Sequence, residues 1–256
     1  MTKSWSTVPF VNRLPILLDP DPLAPFPPAS RALREPDGLL ALGGDLSPQR
    51  LLNAYRHGIF PWYSSGQPIL WWSPDPRMVF DVAGFRLPSR FARSLRKSSW
   101  TLRADTCFGK VIHACAHAPR SGQGNGTWIV PEMLQAYAEL HRLGHAHSIE
   151  VFDGARLVGG IYGVAVGRMF CGESMFSAEP GGSKVALAGL VGLLRGWDWP
   201  MIDAQLENAH LVSLGGQLLP RREFLNRLAP LQAQQGRLGP WTAAFGDRPA
   251  SEFSKD

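Results

Sequence analysis

"HSIEVFDGARLVGGIYGVAVGRMFCGESMFS", residues 147–177, is rich in Val, Ile, Phe and Tyr and is interrupted at Asp153-Gly154 and Gly167-Arg168. Both breaks have the chemistry of tight turns between antiparallel strands, so the stretch predicts three consecutive strands in a meander. An apolar run, "GGSKVALAGLVGLLRGW" (181–197), follows and predicts a helix capped by Ser183. After the Trp197–Pro200 break comes "MIDAQLENAH" (201–210), whose first half reads as a buried strand carrying Asp203 and Gln205. Successive strand residues point to opposite faces, so Asp203 and Gln205 are expected to share one. A carboxylate and an amide there are costly to bury without partners.

Upstream, "SPQRLLNAYRHGIF" (47–60) predicts a helix: Ser47 caps, Pro48 sits in the first turn, Leu51, Leu52 and Tyr55 face inward, and Gly58 stops it. "PILWWSPDPRMVFDV" (68–82) suggests one strand leading out of a small, proline-rich N-terminal region. "LPSRFARSLRKSSW" (87–100) reads as a short basic helix, "WTLRADTCF" (100–108) as a strand, and "FGKVIHACAHA" (108–118) and "PEMLQAYAELHRLG" (131–144) as helices. "RREFLNRLAPLQ" (221–232) reads as a late helix. This order predicts an α+β fold with a mixed sheet, compatible with the acyl-coenzyme A N-acetyltransferase (GNAT-like) architecture. The expected division is a small N-terminal domain over residues 1–78 and a larger one over 79–256.

The 256 residues are 45% apolar and 18% charged, with a formal charge of +5, which permits a polyanionic partner without demonstrating one. Three cysteines and no secretory-type leader suggest a reducing, cytoplasmic setting. The run "VPFVNRLPILL" (8–18) is broken by Asn12, Arg13 and Pro15, so no membrane association is expected.

Several constellations admit two readings. Cys107, His113, Cys115 and His117 are within reach of one another, but on a helix Cys115 points away from the two histidines, and no second ligand pair has zinc-finger spacing; no metal is expected. "GGSK" opens a helix as a phosphate cradle does, yet lacks P-loop spacing, and after Arg156 there is no pyrophosphate loop of the acetyltransferase kind. Arg90, Arg93, Arg96 and Lys97 form either a solvated face or a stripe tracking tRNA phosphates. Nine tryptophans are unusual; Trp62, Trp71 and Trp72 flank proline turns, and stacking on a nucleobase is a physical alternative to core packing. Ile161, Phe170, Met175 and Ile202 suit a core, whereas Glu173 in "FCGESMF" does not. Two readings from other classes stay open: a non-catalytic tRNA-binding module, and a coenzyme A-dependent acetyltransferase, which the missing pyrophosphate loop weakens.

Taken in order, "EPDGLLALGGDLSP", "GIFPWY", "PILWWSPDPR", "GTWIVPEM", "LGHAHSIEV", "LVGGIYGVAVG", "FCGESMFS" and "PRREFLNRL" resemble the bacterial leucyl/phenylalanyl-tRNA–protein transferases. The resemblance implies an aminoacyltransferase that moves Leu or Phe from aminoacyl-tRNA to the N-terminal Arg or Lys of a protein, marking it for degradation; an apolar pocket with an adaptable methionine makes Met a further expected donor. It implies an acetyltransferase-like catalytic domain and no use of coenzyme A; no other cofactor is expected, and the protein is expected to be a monomer. By motif, Asp203 and Gln205 match the catalytic pair and Glu173 a substrate-site carboxylate. Trp62 and Trp128 match aromatic residues holding the aminoacyl-adenosine end. Ile161 (methionine in relatives), Phe170, Met175 and Ile202 match the side-chain pocket, and Asn208 a position near the substrate.

Overall fold

The local signals of the first helix act as their chemistry requires. α1 (Pro48–Arg56) begins where Ser47 Oγ accepts the Arg50 N–H at 3.4 Å, and ends before Gly58, whose φ of 69° a residue with a Cβ rarely adopts. The computed structural model describes residues 14–118 and 129–254. Around α1, β1 (Ile16–Leu17), β2 (Leu39–Leu42), β3 (Phe60–Pro61) and β4 (Leu70–Trp72) form a four-stranded sheet in the order β1-β2-β4-β3. The strand expected through "PILWWSPDPRMVFDV" is in fact two. β4 stops at Trp72, and β5 (Arg77–Asp81) starts beyond Pro74 and Pro76, which cannot donate to a ladder, and joins a different sheet.

That second sheet has eight strands in the order β11-β5-β10-β9-β8-β7-β6-β12. They are β5, β6 (Thr101–Ala104), β7 (Ala146–Asp153), β8 (Arg156–Val166), β9 (Met169–Ser177), β10 (Met201–Gln205), β11 (Gln217–Leu219) and β12 (Arg248–Pro249). The helices are α2 (Ser89–Leu95), α3 (Phe108–His117), α4 (Pro131–Arg142), α5 (Gly182–Gly196), α6 (Ala209–Ser213), α7 (Arg221–Gln232) and α8 (Thr242–Phe245). The fold is therefore mixed α+β, and the expected meander is β7-β8-β9. Within this large sheet neighbouring strands are antiparallel except β9 and β10, which run parallel because α5 carries the chain back across the sheet.

α5 lies against β8 at two glycines: a Cβ on Gly159 would stand 2.4 Å from the Gly182 carbonyl carbon. Its cap differs from the expected one. Gly181, at φ 95°, occupies the cap position, while Ser183 sits inside the first turn and gives its N–H to Ser177 Oγ at 2.8 Å. α2 is shorter than the basic run suggests, so Arg96 caps its end and Lys97 lies beyond.

The two faces of the large sheet carry separate cores. Val79, Cys171 and Met201 pack with Tyr55 of α1 and Tyr137 of α4; Phe80, Ile161, Phe170 and Ile202 pack with Leu190 of α5. The C-terminal segment is part of this structure: the Trp241 N–H donates to Asp105 Oδ2 at 2.7 Å, and its ring stacks on His147 at 3.6 Å.

Candidate active site

Asp203 lies on β10 and faces the α1–α4 side of the sheet, with both carboxylate oxygens bound. Arg77, the first residue of β5, donates Nε to Oδ1 and Nη2 to Oδ2, each at 2.7 Å. Both side chains are 1% exposed. A bidentate, charge-assisted pair is the arrangement in which two buried charges tolerate removal from water. The Arg77 guanidinium carbon lies over the rings of Phe60 (4.9 Å) and Phe224 (4.7 Å), and Nη1 donates to the Gly58 carbonyl at 3.1 Å.

Gln205 departs from simple alternation. Asp203 pairs with Val79, but Gln205 pairs with Met78, so the register slips and Ala204 is the extra residue of a bulge. Gln205 sits at φ 56°, unusual for a residue with a Cβ, and its backbone N–H donates to Asp203 Oδ1 at 3.0 Å. The shared face expected from their spacing is thus replaced by a direct hydrogen bond across a turn of the backbone. The side chain is buried, and Nε2 has no hydrogen-bond partner among the described residues.

Glu173 falls at a second bulge, where Tyr162 pairs with Ser174 and Gly163 with Gly172. Its Oε2 accepts the Tyr137 hydroxyl at 2.7 Å, and Tyr137 is in turn hydrogen-bonded to the Tyr55 hydroxyl. Oε1 is shielded and unpartnered among the described residues, although the residue as a whole is partly exposed. Burial pushes the Glu173 carboxyl up to about 7, against the opposing hydrogen bond from Tyr137; the nearby Asp203 charge adds to the rise and Arg77 offsets it. Burial and then the Glu173 charge hold both tyrosines well above their ordinary value.

Ile161, Phe170, Met175 and Ile202 come together, but on the opposite face. Ile161 pairs with Met175 and Ile202 with Phe170, and all four pack in the core beneath α5. Met175 alone among them is partly exposed. The expected pocket and the carboxylates are therefore separated by the thickness of the sheet, and β10, which carries Ile202, Asp203 and Gln205, is common to both.

Trp62 is partly buried edge-on to Trp72 at 5.6 Å, while Trp71 is wholly in the core, so only part of the tryptophan group is placed to stack on a ligand. Trp128 lies outside the described residues. Asn208 is exposed and caps α6, accepting the Leu211 N–H at 2.8 Å. Arg90, Arg93, Arg96 and Lys97 are all exposed. His113 and His117 stack at 4.2 Å on α3, and Cys115 is buried. No helix among the described residues is long and apolar enough to cross a membrane.

Sequence reasoning missed Arg77, Tyr137 and the site role of Tyr55. Arg77 does carry a signal, because an arginine opening the apolar run Met78–Phe80 must find a partner. The tyrosines carry none; each reads as an ordinary inward-facing helix residue.

Comparison with known proteins sets this geometry in a family. The model described as leucyl/phenylalanyl-tRNA protein transferase matches residues 79–229, and that of the family's N-terminal domain matches residues 44–75. A leucyl/phenylalanyl-tRNA–protein transferase of Xanthomonas axonopodis pv. citri is 65% identical over 244 residues, 95% of this chain and 98% of that one. The corresponding protein of Xanthomonas euvesicatoria pv. vesicatoria is 67% identical over 239 residues, 93% and 95% of the two chains. The solved L-PGS of Bacillus licheniformis aligns over 71% of this chain and 62% of its own, at 10% identity and a TM-score of 0.38, too low a likeness to bear on fold or function. With both halves matched and near-complete coverage at such identity, the chain belongs to the leucyl/phenylalanyl-tRNA–protein transferase family.

Proposed function

We propose that this protein transfers Leu or Phe, and Met as a further donor, from aminoacyl-tRNA to the N-terminal Arg or Lys of acceptor proteins, creating a degradation signal. The observation that carries this reading is the 65% identity to a leucyl/phenylalanyl-tRNA–protein transferase over 95% of the chain. The proposed setting is the cytoplasm, with the protein as a monomer that needs no cofactor. The large sheet is read as GNAT-like, supported by the parallel β9–β10 pair that separates beyond Asp203 in an otherwise antiparallel sheet. The small N-terminal unit is read as a separate domain ending near position 78; the two separate sheets support it, with β5 already in the second.

The donor ester is already activated, so attack by an amine needs positioning more than a strong base. An α-amino group has a pKa of about 7.7–8.0, so roughly a third is neutral near pH 7.5. As the amine nitrogen bonds to the carbonyl carbon, the bond to the tRNA 3′-oxygen breaks. One proton must leave the nitrogen and one must reach the departing oxygen. The Gln205 amide oxygen accepts a hydrogen bond from the incoming N–H and aligns its lone pair. Asp203 holds Gln205 through the backbone N–H; with both oxygens on Arg77, it serves as a scaffold rather than a proton acceptor. Glu173, at about 7, has a basicity close to that of the amine and gives negative potential suited to a cationic acceptor.

Ile161, Phe170, Met175 and Ile202 form the apolar side-chain pocket, Trp62 and Trp128 hold the aminoacyl-adenosine end, and Asn208 lies near the substrate. Arg90, Arg93, Arg96 and Lys97 contact tRNA phosphates, which is consistent with their exposure. The test is transfer of labelled Leu from charged tRNA to a peptide starting with Arg, in competition with Phe-, Met-, Ile- and Val-charged tRNAs. Transfer of Leu, Phe and Met ahead of Ile and Val is the expected result. No transfer to the peptide overturns the reading, and Ile at the Leu rate overturns the pocket assignment alone.

A further inference from the structure

The geometry points to Arg77 as a positioning residue for Gln205, acting through Asp203. This inference rests on the reading that Gln205 aligns the incoming amine. Arg77 touches three separate parts of the chain. Its Nη1 and one ring contact engage Gly58 and Phe60, the latter on β3 of the small sheet, a second ring contact is with Phe224 of α7, and its fork grips Asp203 on β10. The decisive atom is Asp203 Oδ1, which accepts from Arg77 Nε at 2.7 Å and from the Gln205 N–H at 3.0 Å. Gln205 needs that second bond, because a φ of 56° is sparsely populated for a residue with a Cβ and persists only where the surroundings hold it. Released from Arg77, the Asp203 carboxylate is free to turn, and the bulge loses its anchor.

Lysine cannot substitute in this role. A single ammonium offers neither two parallel donors to a carboxylate nor a flat face for two rings. Charge alone would survive Arg77→Lys, whereas the direction of Oδ1 would not. The strand that carries the proposed catalytic amide is thus aimed by an arginine of its neighbour β5, which is itself held by contacts from the N-terminal sheet and from α7.

The experiment measures kcat and KM for transfer to an Arg-starting peptide in Arg77→Lys, Gln205→Ala and the double variant of the full chain. A misplaced reacting geometry costs about 10²-fold, so Arg77→Lys is expected to lower kcat by about 30–100-fold with KM for aminoacyl-tRNA within about twofold. In the Gln205→Ala background the same substitution is expected to cost less than about threefold, because the group it positions is already gone. A purely structural role would not produce that loss of effect. Equal fold-losses in the two backgrounds overturn the inference while leaving Gln205 in place. Full activity of Gln205→Ala alone overturns the reading of Gln205, and the inference with it. Phe224→Leu, which keeps the ion pair but removes one ring contact of the guanidinium, guards against misfolding of Arg77→Lys. Its loss, about three- to tenfold, is also expected to vanish in the Gln205→Ala background and overturns the inference if it persists.

Discussion

The two faces of the eight-stranded sheet are built on different principles. Beneath α5, Phe80, Ile161, Phe170 and Ile202 interlock with the helix as an apolar core. Such a face draws its stability from area removed from water, about 25 cal/mol per Å², and accepts changes of shape at modest cost. Beneath α1 and α4, an apolar surround encloses Arg77, Asp203 and Glu173 with Tyr55 and Tyr137. There each group depends on a named partner, and removing one leaves another buried without it. β10 carries both principles at adjacent residues, Ile202 on one face and Asp203 on the other. Chemistry placed on such a strand inherits rigidity from the apolar side and orientation from the polar side.

The largest expected effect comes from Asp203→Asn. It leaves the Arg77 charge buried and half-partnered, so stability measured by urea unfolding should fall by about 3–5 kcal/mol and transfer by at least about 10²-fold. The double change Arg77→Met/Asp203→Leu sharpens the contrast. Stability should largely return, since an apolar pair can replace a buried ion pair, while transfer stays low. If Asp203→Asn proves as mild as a conservative core change, the polar face does not work by partnered charges.

Gln205→Ala separates activity from stability. Transfer should drop about 10²-fold with the melting temperature nearly unchanged, because Nε2 has no partner to lose among the described residues. Full activity would remove Gln205 from the mechanism.

Glu173→Gln tests the carboxyl that burial holds at about 7, well above its ordinary 4.5. Between those values the folded state binds more protons than the unfolded one, so the Glu173 contribution is fully present below about 4.5 and is lost as pH rises through 7. Relative to Glu173→Gln, the native protein should lose about 1–3 kcal/mol between pH 5 and 8, and an ionisation near 7 in its rate profile should vanish in the variant. A pH-independent difference would place the carboxyl in an ordinary, solvated setting.

The smallest effect belongs to the apolar face. Ile202→Val should cost about 0.5–1.5 kcal/mol and shift the Leu-to-Phe preference by less than about tenfold, leaving the rate with Leu within about threefold. A loss comparable with that of Gln205→Ala would mean that the α5 face also aims the reacting groups, and the division between faces would fail.

Sequence by itself determined the elements whose signals are local. The Ser47, Pro48 and Gly58 sequence delimits α1, the turns at Asp153-Gly154 and Gly167-Arg168 delimit the meander, and the ordered motifs point to the family. Those signals are legible because caps, turns and periodicity depend on residues within a few positions of one another. The tertiary structure alone decided the environment of the site. Arg77 reaches Asp203 across 126 positions, and Tyr55 reaches Tyr137 across 82. Strand order decides such meetings, and periodicity does not specify it. Nor does spacing reveal that a bulge will carry Gln205 out of alternation, since the slip appears only where β10 is laid against β5. Side-chain types at local spacing mark where chemistry can reside; which charge faces which is settled by the packing of distant segments, because a buried charge is stable only where the whole fold delivers its partner.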